Sequence, residues 1–188
     1  MRRVLLATGN AHKLAEIGQI LGEGWHVEGR DPGVDETGET FEENALLKAR
    51  ALAAASGEVA LADDSGIEID ALGGEPGVRS ARWTEEGDWI PRVLRELDGV
   101  PAERRGCRYV CAAAAVWPGP GGREVVVQGT VEGVVPEAPR GTGGFGYDPV
   151  MVPVESDGRT FAEMTDAEKH ALSHRGRAFR ALATQLRT

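Results

Sequence analysis

The stretch TFEENALLKARALAAASGEVALADDSGIEID, Thr40–Asp70, decides the fold class. Thr40 and Glu43 stand in the S/T-x-x-E relation of a capping box, and Gly57 supplies a stop signal, so a helix over Thr40–Ser56 is predicted. EVALA then reads as a buried strand and IEID as an alternating one. Between them lies LADDSG, which puts Asp63 and Asp64 at the carboxyl end of the first strand. Ligands in α/β sheets collect at such strand ends. Two adjacent carboxylates there are costly unless a cation or hydrogen-bond donors compensate them.

Outward from this stretch the pattern continues. RVLLAT, Arg3–Thr8, reads as a strand that GN breaks, and Leu14, Ile17, Ile20 and Leu21 mark one face of a helix. Trp25–Glu28 is a second short strand. Downstream, a helix covers roughly Asp88–Leu97. CRYVCAAAAVW and REVVVQGTVEGVV form a hairpin across PGPGG, and Gly141–Gly146 is a loop. Thr165 and Glu168 make another capping box, and Ser173 can cap a last helix toward Leu186. Early alternation of strands and helices with a hairpin in the middle predicts an α/β fold, a mixed sheet with flanking helices. No linker separates independent domains, so residues 1–188 are read as one domain.

The bulk numbers set limits. The chain has 188 residues, 41% hydrophobic, enough for a sizeable core. Its net charge of −9, from 21 basic and 30 acidic side chains, argues against a non-specific grip on nucleic acid. The apolar run in MRRVLLATGN is too short for a signal peptide, and no stretch approaches the roughly 20 apolar residues of a spanning helix. No membrane partner is expected. The two cysteines, Cys107 and Cys111, lack metal-site spacing and read as reduced core thiols of a cytoplasmic protein.

Four polar stretches interrupt the scaffold. TGNAHK, with Thr8, Gly9, Asn10 and Lys13, sits at a strand-to-helix turn. It reads either as an ordinary Asn-capped turn or as a phosphate cradle built on backbone N–H groups. In DETGETFEENALLK the acids favour the helix N-terminus, and Glu36, in the loop before the cap, is the best-placed ligand. Lys48 reads as a solvated lysine or a further substrate contact. Asp64 with Glu36 would make the sparse carboxylate shell that suits Mg²⁺, and a metal-adjacent carboxylate can take a proton from water. Ser65 adds a hydroxyl. GTGGFGYDP allows close backbone approach through its glycines, and Phe145 or Tyr147 could stack on a flat ring. Lys169, His174 and Arg175 add cations near the C-terminus. Together these describe a nucleotide site.

The set TGNxxK, ETFEENALLKA, ADDSGIEIDALGGEPGVRSARW, GTGGFGYDP and FAEMTxAEKxxxSHRGxA, running in order from Thr8 to Ala178, resembles the inosine/xanthosine triphosphate pyrophosphatase family. The resemblance implies an elongated mixed sheet in two lobes around a central cleft, a homodimer and a Mg²⁺ requirement. It implies hydrolysis of deaminated purine nucleoside triphosphates (inosine, deoxyinosine and xanthosine triphosphates) to the monophosphate and pyrophosphate. Carried over by position, Thr8, Gly9, Asn10 and Lys13 would hold the phosphates, with Lys48 and Ser65 as further substrate contacts. Asp64 would be general base and metal ligand, and Glu36 a second ligand; Asp63 would support the metal or share it. Phe145, Gly146, Tyr147 and Asp148 would meet base and sugar, and Lys169, His174 and Arg175 would close over the nucleotide. Arg175, which only donates hydrogen bonds, would accept the six-oxo group of hypoxanthine and reject the amino group of adenine, or else merely grip a phosphate. Two departures stand out: Val150-Met151 where an aromatic is expected after GYDP, and TEEGDWIPRVLREL between Trp83 and Leu97. A pyrophosphatase of other modified nucleotides and a nucleotide-binding module without turnover are the alternatives.

Overall fold

The computed structural model describes residues 2–84 and 87–186. Within them lie β1 (Arg2–Ala7), α1 (Ala11–Leu21), β2 (Trp25–Arg30), α2 (Phe41–Ser56), β3 (Ala60–Ile69), α3 (Trp89–Glu96), β4 (Gly106–Val116), β5 (Glu124–Val134), β6 (Val152–Pro153), α4 (Asp166–Leu172) and α5 (His174–Gln185). The strands form a six-stranded sheet in the order β2-β1-β3-β4-β5-β6. β1 runs parallel to β2 and to β3, whereas β5 and β6 are antiparallel, so the sheet is mixed and the fold α/β.

The local signals explain the helices. Asn10 caps α1 by accepting from the N–H groups of His12 and Lys13. Thr40 and Glu43 close the capping box of α2, and Gly57 ends it in the left-handed conformation. Thr165 and Glu168 do the same for α4. Ser173 ends α4 and immediately precedes α5.

One expectation is corrected. EVALA and IEID are not two strands with the acids at the end of the first. They belong to one ten-residue strand, β3, and Asp63 and Asp64 lie in its middle. DDSG reads as a break, yet Gly66 is there for close approach: a Cβ on it would come within 2.3 Å of Ser80 Oγ, which accepts from the Ile67 N–H at 2.9 Å.

The chain divides into two compact units, Met1–Asp64 with Cys111–Gly129 and His174–Thr188, and Ser65–Val110 with Thr130–Ser173. The core of the first gathers Val4, Leu6, Ile17, Leu61, Cys111, Ala113, Ala115, Phe179 and Leu182. The core of the second gathers Ile67, Ile69, Val93, Leu97, Tyr109, Val131, Tyr147, Met151 and Phe161. Both cysteines are buried free thiols, and burial pushes Cys107 up to about 12. Val150 and Met151, where the resemblance leads one to expect an aromatic, are fully buried in the second core. Met151 sulfur lies 3.5 Å from Cys107 and fills the space that a Cβ on Gly133 would enter. In the other departure Glu85 and Glu86 lie outside the described residues, and the rest includes α3, whose Val93 is buried. Among the described residues no helix is long and apolar enough to cross a membrane.

Candidate active site

The residues singled out from the sequence fall into two groups, one in each unit. In the first unit β1 leads into the Thr8–Asn10 turn. Thr8 Oγ1 accepts from the Asn10 N–H at 3.1 Å, and the Asn10 side chain is spent on the α1 cap. Lys13, one turn into α1, reaches Asp63 at 3.0 Å. Arg175, at the start of α5, is 2% exposed and grips Asp63 at 3.3 and 3.4 Å. Its other arm donates to Glu16 of α1. Two cations far apart in sequence, Lys13 and Arg175, thus flank one carboxylate, and His174 is buried beside Arg175 in the chain.

Asp64 meets different company. The side-chain nitrogen of Asn44, on α2, donates to Asp64 Oδ2 at 2.9 Å, and Asn44 Oδ1 accepts the Gly38 N–H at 2.8 Å. One buried amide thereby ties Asp64 to the loop that carries Glu36. Lys48, one turn further along α2, pairs with Glu36 at 2.5 Å and lies 3.8 Å from Asp64 Oδ1. Lys48 is buried, not the solvated lysine the helix position allows. Burial works against its ammonium, but Asp63, Asp64 and Glu36 outweigh that and hold it charged.

The adjacent acids are pushed apart electrostatically. Burial by itself would raise Asp63, yet Lys13, Arg175 and Lys48 overcome it and hold the carboxyl well below the usual range. Burial raises Asp64, with Glu36 adding to the effect and Lys48 and Asn44 only partly opposing it. A pair of carboxyls driven in opposite directions separates a fixed charge from a proton acceptor.

Glu36 and Asp64 fit a divalent metal. They are hard oxygen donors, both beside the Lys48 ammonium, a cation already drawn to that position. Among the described residues no group of three or more His, Cys, Asp or Glu side chains gathers as a cage. Two carboxylates would make the sparse protein shell that suits Mg²⁺.

In the second unit Ser65 is half-buried on β3. Tyr147 is packed into the core, its hydroxyl donating to the Ser80 carbonyl at 2.8 Å and its ring stacked on Trp89 at 5.8 Å. Phe145 is the half-buried ring of the loop, beside the left-handed Gly146. Lys169 Nζ lies 4.5 Å from the Phe145 ring centre and pairs with Asp148 at 2.8 Å.

Sequence reasoning passed over Glu16, Asn44 and Tyr109. Glu16 carries a faint signal, an acid between the apolar Ala15 and Ile17. Asn44 carried one as well, an amide one turn past the cap of the most clearly marked helix. Tyr109 looked like any strand aromatic.

The Ham1 family profile matches residues 4–185. A dITP/XTP pyrophosphatase of Symbiobacterium thermophilum is 54% identical over 94% of this chain and 91% of its own. One from Streptomyces coelicolor is 48% identical over 100% of this chain and 98% of its own. Among solved structures, a HAM1 protein from Coxiella burnetii superposes with a TM-score of 0.85 at 37% identity, covering 99% of this chain and 98% of that one. A nucleoside-triphosphatase, dITP/XTP pyrophosphatase, from Mycobacterium abscessus gives 0.75 at 43% identity over 96% and 98%.

Proposed function

The chain belongs to the Ham1 family, and on that premise we propose that it hydrolyses deaminated purine nucleoside triphosphates to the monophosphate and pyrophosphate. The observation that carries the mechanism is the setting of Asp64, held by the Asn44 amide and sharing the Lys48 ammonium with Glu36. Asp64 is the general base. The oxygen of a water bonds to the α-phosphorus, the bond from that phosphorus to the α–β bridging oxygen breaks, and pyrophosphate leaves with the bridging oxygen. The proton of the water passes to an Asp64 carboxylate oxygen.

Glu36 and Asp64 would hold Mg²⁺, which when bound offsets phosphate charge and polarises the phosphoryl oxygens. Lys13 and the Thr8–Asn10 turn hold the phosphates, with Lys48 and Ser65 as further contacts. Asn44 keeps Asp64 and the Glu36 loop in register. Phe145 stacks on the base, and Lys169 and Asp148 support it. Arg175 serves first as counter-ion to Asp63 and Glu16; reading a purine edge would require it to give up one of those pairs. A cytoplasmic homodimer completes the proposal.

The test is a panel of nucleoside triphosphates assayed for pyrophosphate release. Inosine and xanthosine triphosphates are expected to be cleaved in preference to adenosine triphosphate, with pyrophosphate as first product. Orthophosphate as first product would place attack at the γ-phosphorus and overturn the mechanism. A chelator should abolish turnover and Mg²⁺ restore it.

A further inference from the structure

We infer that Tyr109, acting through the Asp148 carboxylate, sets the position of the Phe145 ring and the Lys169 ammonium, and is therefore a positioning residue for substrate binding. The inference rests on the reading of Phe145 as the surface on which the base stacks.

Asp148 is 2% exposed, and its carboxylate takes three donors. One oxygen accepts the backbone N–H of Phe145 at 2.9 Å and the Lys169 ammonium at 2.8 Å. The other accepts the Tyr109 hydroxyl at 3.2 Å. The loop wraps this carboxylate closely: at Gly144, with φ +67°, a Cβ would lie 2.0 Å from Asp148 Oδ2. With its oxygens so engaged, Asp148 is a clasp for the loop.

Tyr109 is the part of this clasp that does not belong to a loop or a short helix. It lies on β4, is buried, and stacks on Phe161 with ring centres 5.7 Å apart and planes 5° from parallel. Burial and the neighbouring Asp148 charge keep its hydroxyl protonated, so toward Asp148 it acts as a donor only. A rigid strand thus fixes a hydroxyl, the hydroxyl fixes a carboxylate, and the carboxylate fixes both a glycine-rich loop and a lysine. Stacking depends on the orientation of the ring. Proton transfer, in contrast, is assigned to Asp64, so loosening the clasp should weaken binding more than turnover.

The experiment is a double-mutant cycle with inosine triphosphate. Tyr109→Phe keeps the ring and removes only the hydroxyl. In the parent enzyme it should raise KM by ~3–10-fold, the worth of one hydrogen bond, with kcat changed less. In a Phe145→Ala background the same substitution should raise KM by less than ~2-fold, because two changes acting through one group are not additive. Equal rises in both backgrounds would show that Tyr109 does not act through Phe145. A lowered melting temperature with unchanged KM would make Tyr109 purely structural. Either result overturns the inference while leaving the role of Phe145 intact. An unchanged KM in Phe145→Ala alone would instead overturn the stacking role itself, and the inference with it.

Discussion

Lys13, Arg175 and Lys48 all bear on Asp63, and three cations together outweigh the cost of burying one carboxylate. Asp63→Asn should therefore cost about 3–5 kcal/mol at neutral pH, because it takes the carboxylate from Lys13 and one of two from Arg175. The sign follows from the depressed folded-state pKa. The contribution of Asp63 is fully present above the unfolded carboxyl pKa near ~3.9 and fades as the pH falls through the lower folded value. Denaturant titrations of parent and variant should diverge most above about pH 5 and begin to draw together below about pH 4, meeting only as the pH passes the lower folded value. Asp64→Asn should behave differently, keeping the fold and losing ~10²–10⁴-fold in turnover. A variant retaining more than about a tenth of the parent rate, well short of that range, would move the base elsewhere. Arg175→Ala removes the buried partner of both Asp63 and Glu16, so its melting temperature must be measured before any ratio of inosine to adenosine triphosphate cleavage is compared.

At the scale of elements, what could be read in the chain divides by the range of the forces involved. The caps of α1, α2 and α4 were legible because Asn10, Thr40 and Thr165 each bond to an amide two or three residues away. β3 is not legible as one strand, because the charges in DDSG are met by distant partners, including an arginine 112 residues further on. Tyr109 was invisible for the same reason, since its carboxylate lies 39 residues away. The carboxylate pair, the Glu36 loop and the GTGGFGYDP loop were legible because polar and glycine-rich runs stand out against apolar elements. Gly129 on β5 offers an element-scale test. A Cβ there would lie 2.2 Å from the His174 carbonyl oxygen and 2.6 Å from the Ala178 nitrogen, so the start of α5 must move. Gly129→Ala should destabilise by about 1–3 kcal/mol, and the displaced His174 and Arg175 should lower kcat/KM for inosine triphosphate. Unfolding titrations and initial rates on the same preparation check both.

For the whole molecule, the chain passes from one unit to the other at Asp64–Ser65, Val110–Cys111, Gly129–Thr130 and Ser173–His174. Neither unit is a single stretch that a protease or a cloning boundary could release intact. The third segment of the first unit is made only after the whole of the second. When residues 1–64 leave the ribosome, Glu16 and Asp63 are already present, but the guanidinium that neutralises both lies 159 and 112 residues downstream of them. The first unit therefore cannot neutralise its acids until that segment has been made, and its closure waits for contacts between distant residues, which form slowly. Quality control in the cell would meet a nascent chain with an open first half, and a ribosome that stops at Ser173 would release a product whose Glu16 and Asp63 lack their guanidinium.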